Sequence, residues 1–220
     1  KKGALLLLAT ETDFVAKNET FIEMAKMLSN LVVEKEIDNI EDLKALKINE
    51  YNIEDEIKHL ISKIGENIAP RKLKYYHASD NGLVHAYILP GNKVAILIQL
   101  ESASSEAANS SEIKSLAKEL AMQIAFSKPM AISHENIPQK IIDKEKEIYH
   151  DQAIQQGKPE KAIEKIIEGK LRKFLKQNCL LEQDYIRESD LSCSALIDKV
   201  SKDLDTKIEI KRFDRFEVGV

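Results

Sequence analysis

The sequence predicts an α+β fold: two related subdomains, each an antiparallel sheet backed by helices, with a projecting antiparallel coiled-coil hairpin. Three observations predict it. Residues 93–126 repeat the pattern of residues 3–34. Short apolar or alternating runs interleave with stretches whose apolar residues recur at helical spacing. Residues 139–178 change character, becoming two charged amphipathic helices around a Gly157-Lys158-Pro159 break, the pattern of an αα-hairpin. The units are 1–80 for the first subdomain, 81–137 with 179–220 for the second, and 138–178 for the arm.

Ala4-Leu5-Leu6-Leu7-Leu8-Ala9-Thr10 is an unbroken apolar run and reads as a buried strand. Phe21, Met24, Ala25, Leu28, Leu31 and Val32 share one face of the helix that follows. Asp38-Asn39-Ile40-Glu41 opens a short helix in the manner of a capping box, with Ile40, Leu43 and Leu46 apolar. Asn52 opens another, with Ile53, Ile57, Leu60, Ile61 and Ile64 at helical spacing and Gly65 at the C-cap; His59 falls among its solvated positions. Arg71 to His77 reads as a strand and Ser79-Asp80-Asn81-Gly82 as a turn. Leu83 to Leu89 and Lys93 to Leu100 form a hairpin around Pro90-Gly91-Asn92. The helix from Ser110 to Ser127 carries a core stripe of Ile113, Leu116, Ala117, Leu120, Ala121 and Ile124. In the arm, Ile141 and Ile142 return as Ile148 and Tyr149, and Ile163, Ile166, Ile167, Leu171, Phe174 and Leu175 mark the second helix. Helices of about 20 residues make an arm of about 30 Å. Ser194 to Leu204 is the last helix, and Lys207 to Val218 the last strand, with Ile208 and Ile210 on one face.

The connection Glu11-Thr12-Asp13-Phe14-Val15-Ala16-Lys17-Asn18 places a phenyl ring beside an acid at a strand-to-helix turn. Either Phe14 tucks under the helix and Asp13 caps it, or the pair projects outward toward a partner. The repeat acts as an internal control. Glu11 and Thr12 match Glu101 and Ser102, two residues are inserted, and the helix then matches from Phe21 and Ile113 onward. Asp13-Phe14-Val15 faces Ala103-Ser104-Ser105, so the second copy holds its strand to its helix with no aromatic ring there. That favours the outward reading.

The chain has 220 residues, 32% of them charged, and a net charge of −4. Mixed signs without a basic excess argue against a nucleic-acid or anionic-membrane surface. The longest apolar run is too short to span a bilayer, and no signal peptide is evident. Cys179 and Cys193 have no metal-type spacing and read as buried structural thiols of a reducing cytoplasm. The sequence carries no Walker loop, dinucleotide fingerprint or nucleophile elbow. His59, His77, His85, His134 and His150 form no zinc pattern. Glu11 and Glu101, related by the repeat, form a conceivable acid/base pair, but nothing supplies a substrate pocket. The expectation is a non-enzymatic protein without cofactor or metal.

Thr12-Asp13-Phe14-Val15-Ala16-Lys17-Asn18 after an apolar strand resembles the signature of the elongation factor Ts family, the guanine-nucleotide exchange factors of elongation factor Tu. Ile64-Gly65-Glu66-Asn67-Ile68 resembles that family's second signature. Ser127-Lys128-Pro129, Gly157-Lys158-Pro159, Glu168 to Phe174, Cys179 to Gln183 and Arg215 to Gly219 follow its pattern in order. The resemblance implies a translation elongation factor that binds elongation factor Tu in its GDP-bound and nucleotide-free forms and promotes GDP release. It implies partner contacts at Thr12, Asp13, Phe14 and Val15, and at Ile64 and Gly65, where a plain helix end is the alternative. It names the arm a dimerisation module, which makes a second copy of the chain another partner. The family begins with a small ubiquitin-associated-like domain and often ends in a further helix; residues 1–220 match neither. Leu89 stands where the family carries a partner-facing His in Tyr-Ile-His, so that contact is not carried over. The competing expectation is a coiled-coil structural or assembly adaptor without exchange activity.

Overall fold

The computed structural model describes residues 1–48 and 50–219. β1 (Lys2–Ala9) leads through a single helical turn, α1 (Asp13–Ala16), into α2 (Glu19–Lys35). After α3 (Ile40–Ala45), the two-residue strands β2 (Lys47–Ile48) and β3 (Tyr51–Asn52) pair and deliver the chain to α4 (Ile53–Ile64). β4 (Ala69–His77) then returns antiparallel to β1. Side-chain caps set these helices, and in α3 the cap is Asn39, one residue after the Asp38 of the expected capping box. Asn39 accepts from the Asp42 N–H, Asn52 accepts from the Asp55 N–H, and Gly65 closes α4 at φ 85°.

The second half is larger. β5 (Gly82–Ile88), β6 (Val94–Ser102) and β9 (Ile208–Glu217) form a three-stranded antiparallel sheet in the order β5-β6-β9. α5 (Ser105–Asn109) and α6 (Ser111–Ser127) follow β6. α7 (Gln139–Gln155) and α8 (Glu160–Asn178) pack on one another as a helical hairpin. β7 (Asp184–Tyr185) and β8 (Glu188–Ser192) then lead into α9 (Cys193–Asp203), which lies beside α6 and β9.

The layers follow from strand parity. Ala4, Leu6 and Leu8 of β1 face the first core, with Phe21, Leu28 and Val32 of α2, Leu43 of α3, and Ile53, Ile57 and Leu60 of α4. Leu5 and Leu7, on the other face, join Tyr76, Val84, Leu97 and Phe216 in a seam between the two sheets. An unbroken leucine run is what a strand covered on both faces needs. On the far side, Ile96, Ile98 and Leu100 of β6 pack against Ile113, Leu116, Leu120 and Ile124 of α6 and Ile197 of α9. The result is helices, two sheets back to back, and helices again. Gly3 permits the close approach of the sheets, because a Cβ there would lie 2.7 Å from Val84 Cγ1.

One irregularity was not legible. Gln99 pairs with Arg212 but Leu100 pairs with Ile210, leaving Lys211 as the extra residue of a β-bulge. The bulge shifts parity along β9. Ile208 and Ile210 face the α6 core, whereas Phe216 enters the seam. Tyr76 donates to Asp214 Oδ2 at 2.6 Å, and the Arg212 guanidinium lies 3.9 Å from the Tyr76 ring centre while its Nε donates to Gln99 at 2.8 Å.

In the α7–α8 hairpin, burial is sparse. Ala153 and Ile163 are buried near the tip, and Ile141, Ile142, Phe174 and Leu175 pack on Ile137 and Cys179 at its root. Ala153 was not expected in the stripe, and Ile148, which was, is exposed.

Candidate functional site

Phe14 is 87% exposed, the most open of the large apolar side chains among the described residues. Both parts of the inward reading fail. The cap of α1 is Thr12, not Asp13: the Thr12 hydroxyl accepts from the Val15 N–H at 3.3 Å. Asn18, not Asp13, caps α2, accepting from the Thr20 and Phe21 N–H groups. Val15 is the residue of the turn that faces inward, packing on the first core. Phe14 is carried outward because it lies beside Val15 on a helical turn whose inner face holds one apolar side chain.

The caps also correct the alignment of the two copies. Ser104 caps α5 as Thr12 caps α1, accepting from the Ala107 N–H at 3.3 Å. The two inserted residues therefore precede the cap. Asp13-Phe14-Val15 corresponds to Ser105-Glu106-Ala107, not to Ala103-Ser104-Ser105. The inference survives the shift: Glu106 is exposed where Phe14 is exposed, and Ala107 is buried where Val15 packs inward.

Three segments meet around this turn. The first is Thr10 to Asn18. The second is the segment after α4, where Glu66 accepts from the Thr10 hydroxyl at 3.0 Å, the Thr12 hydroxyl at 2.6 Å and the Thr12 N–H at 3.0 Å. Glu11 accepts in return from the Asn67 N–H at 3.3 Å. The Thr12 hydroxyl bond, with those from Thr10 and the backbone, holds the Glu66 carboxyl below the ordinary glutamate range. The third segment is the β5–β6 hairpin, from which Lys93 Nζ reaches Asp13 Oδ2 at 3.3 Å. Both members of that pair are largely exposed, so it orients Asp13 more than it stabilises the fold.

The expected site residues divide. Thr12, Asp13 and Phe14 lie together at the surface, and Gly65 is exposed close by with open space around it. Val15 and Ile64 pack against the first core instead, so they shape the surface from beneath. Leu89 packs on the second core, while its neighbour Ile88 is exposed. Sequence reasoning missed Glu66 and Lys93 as contacts of the loop. Glu66 lies inside a quoted motif, but its partner is 54 residues away and no local spacing reveals it.

Among the described residues, no group of three or more His, Cys, Asp or Glu side chains is placed to hold a metal ion, and no helix is long and apolar enough to cross a membrane. Glu11 is tied to the Asn67 backbone and Glu101 to Ser79 and Lys211, so the repeat-related pair is engaged in separate contacts.

The sequence model of a family described as elongation factor TS matches residues 11–220. The chain is 38% identical over 220 residues to a protein named elongation factor Ts from Clostridium botulinum (strain Alaska E43 / Type E3), covering 100% of this chain and 71% of that protein. It is 36% identical over 221 residues to elongation factor Ts of Chlorobium phaeobacteroides (strain BS1), covering 99% and 75%. Elongation factor Ts of Symbiobacterium thermophilum is 35% identical over 219 residues, covering 100% and 70%.

Proposed function

The chain belongs to the elongation factor Ts family of translation elongation factors, and from that premise we propose that it is a guanine-nucleotide exchange factor for elongation factor Tu. It binds the GDP-bound partner and promotes GDP release. The observation that carries this reading is Phe14, an exposed phenyl ring on a turn held at both ends.

The physical logic is linkage. An exchange factor that favours the nucleotide-free partner over the GDP-bound one weakens GDP by the same coupling free energy. Phe14 fills an apolar slot in the partner and shifts the elements that hold the nucleotide. Buried aromatic anchors of this kind dominate interface energetics. Asp13 brings a carboxylate close to a site that already holds negative phosphates, which disfavours retention of GDP. Thr12, Val15, Ile64 and Gly65 set the shape of the docking surface around that ring. No bond is made or broken, so the protein acts as a binding catalyst rather than an enzyme, and it works in the cytoplasm.

The same reading assigns residues 1–80, and 81–137 with 179–220, to the body that docks. Residues 138–178 are a coiled-coil arm that adds a contact with elongation factor Tu or with a second copy of the chain. Exposed Ile148 and Ile154 favour a binding role for the arm. They also supply the second reading, an adaptor whose only working part is that arm.

The test is release of a fluorescent GDP analogue from purified elongation factor Tu. Acceleration at substoichiometric amounts of the chain is the expected result. A stable complex without acceleration selects the adaptor reading.

A further inference from the structure

Phe14 is open to solvent, yet the backbone that carries it is braced. Three donors converge on one carboxylate: the Thr10 hydroxyl and the Thr12 N–H on Glu66 Oε2, and the Thr12 hydroxyl on Oε1. Glu11 accepts the Asn67 N–H in return, so residues 10–12 and 66–67 hold each other in both directions. The Thr12 hydroxyl then both donates and accepts. Its hydrogen goes to Glu66 and its lone pair accepts the Val15 N–H that starts α1. Phe14 is the second residue of that turn, and Val15 anchors the turn's inner side. A four-residue turn has too few internal bonds to hold itself. The order must come from outside it.

We propose that Glu66 is the positioning residue for Phe14, holding the ring in its docking pose before the partner arrives. The inference rests on the exchange-factor reading. Glu66 acts through Thr12 and touches no nucleotide. A chain without the brace has to order the turn during docking. Its apparent affinity falls by the fraction of time the free turn spends in the competent pose. The complex that finally forms is the same, so its maximal exchange rate is preserved. Phe14→Ala differs, because it removes the contact itself and lowers the maximal rate.

Two measurements test this. The first needs no partner. The chain contains no Trp, so Phe14→Trp places a single indole on the turn. Time-resolved anisotropy is compared for Glu66, Glu66→Gln and Glu66→Ala in that background. The expected order of fast depolarisation is Ala above Gln above Glu, with unchanged far-ultraviolet circular dichroism. Gln is intermediate because its carboxamide keeps one acceptor oxygen but turns an NH2 toward donors. If Glu66→Ala fails to fold, Glu66→Gln carries the comparison. Equal anisotropy across the series would overturn the brace.

The second measurement titrates Glu66→Ala, with Phe14 intact, in the GDP-release assay. The half-saturating concentration should rise about tenfold while the plateau rate stays within about twofold. A lowered plateau at unchanged half-saturation would overturn positioning. A wild-type chain that fails to accelerate release would remove the exchange reading, while the anisotropy series still decides whether Glu66 orders the turn.

Discussion

A phenyl ring that is 87% exposed contributes little to the fold, so Phe14→Ala should change stability by less than about 0.5 kcal/mol. Matched urea-denaturation midpoints for the two chains check this. The cysteines make the opposite case. Cys179 and Cys193 are fully buried, and desolvation pushes their thiols up to about 11 and about 12. At pH 8 both stay protonated and occluded, so a thiol reagent should label them only as fast as the chain opens. Addition of denaturant should release both at once; fast labelling of the native chain would contradict their placement. The outward position of Phe14 was legible because an internal repeat served as its control. The bonding of Glu66 to Thr10 and Thr12 was not, because a carboxylate that follows a helix-ending glycine looks the same whether it is solvated or bonded across 54 residues.

Element by element, local chemistry was the most readable. Asn39, Asn52, Gly65 and Ser110 sit at helix ends because their side chains or backbone freedom satisfy orphan groups, and each does so within a few residues. The β9 bulge was hidden, since it depends on register against β6 and leaves no mark in the composition of β9. The brace between α1 and the α4 exit has its own pH signature. Glu66 has a depressed carboxyl pKa in the fold. Its contribution is therefore present above the ordinary glutamate value and lost as pH falls through the depressed value. Amide-exchange protection at Thr12 and Val15 should weaken on that descent, and Glu66→Gln should lack the transition. For the arm, replacing residues 140–177 by a short linker should leave a folded body, because the buried cores of the two sheets draw no residue from α7 or α8. Cooperative unfolding of the shortened chain, with exchange retained at reduced rate, is the expected result; loss of all partner binding would favour the adaptor reading.

At the scale of the molecule, the two halves are joined by a seam rather than a linker. Leu5, Tyr76, Leu97 and Phe216 bury the backs of both sheets together, and the Tyr76–Asp214 bond closes one side. Burial and that bond lift the Tyr76 hydroxyl well above its ordinary range. Tyr76→Phe removes the donor from Asp214 and should cost about 1–3 kcal/mol in denaturant unfolding. The repeat announced two related sheets, but not that they would pack back to back; only the unbroken run Leu5 to Leu8 hinted that β1 is covered on both faces. The seam holds the β5–β6 hairpin beside β1 through Val84, and Lys93 at the hairpin turn reaches Asp13. On the exchange-factor reading proposed above, the joined halves present the ring to elongation factor Tu. The most direct test is GDP-analogue release from elongation factor Tu by the wild-type chain and by Phe14→Ala, measured side by side at saturating concentration. The account predicts acceleration by the wild type and a fall of at least about tenfold in the variant, the scale of a lost interface anchor. Equal plateau rates from two equally folded chains would contradict it.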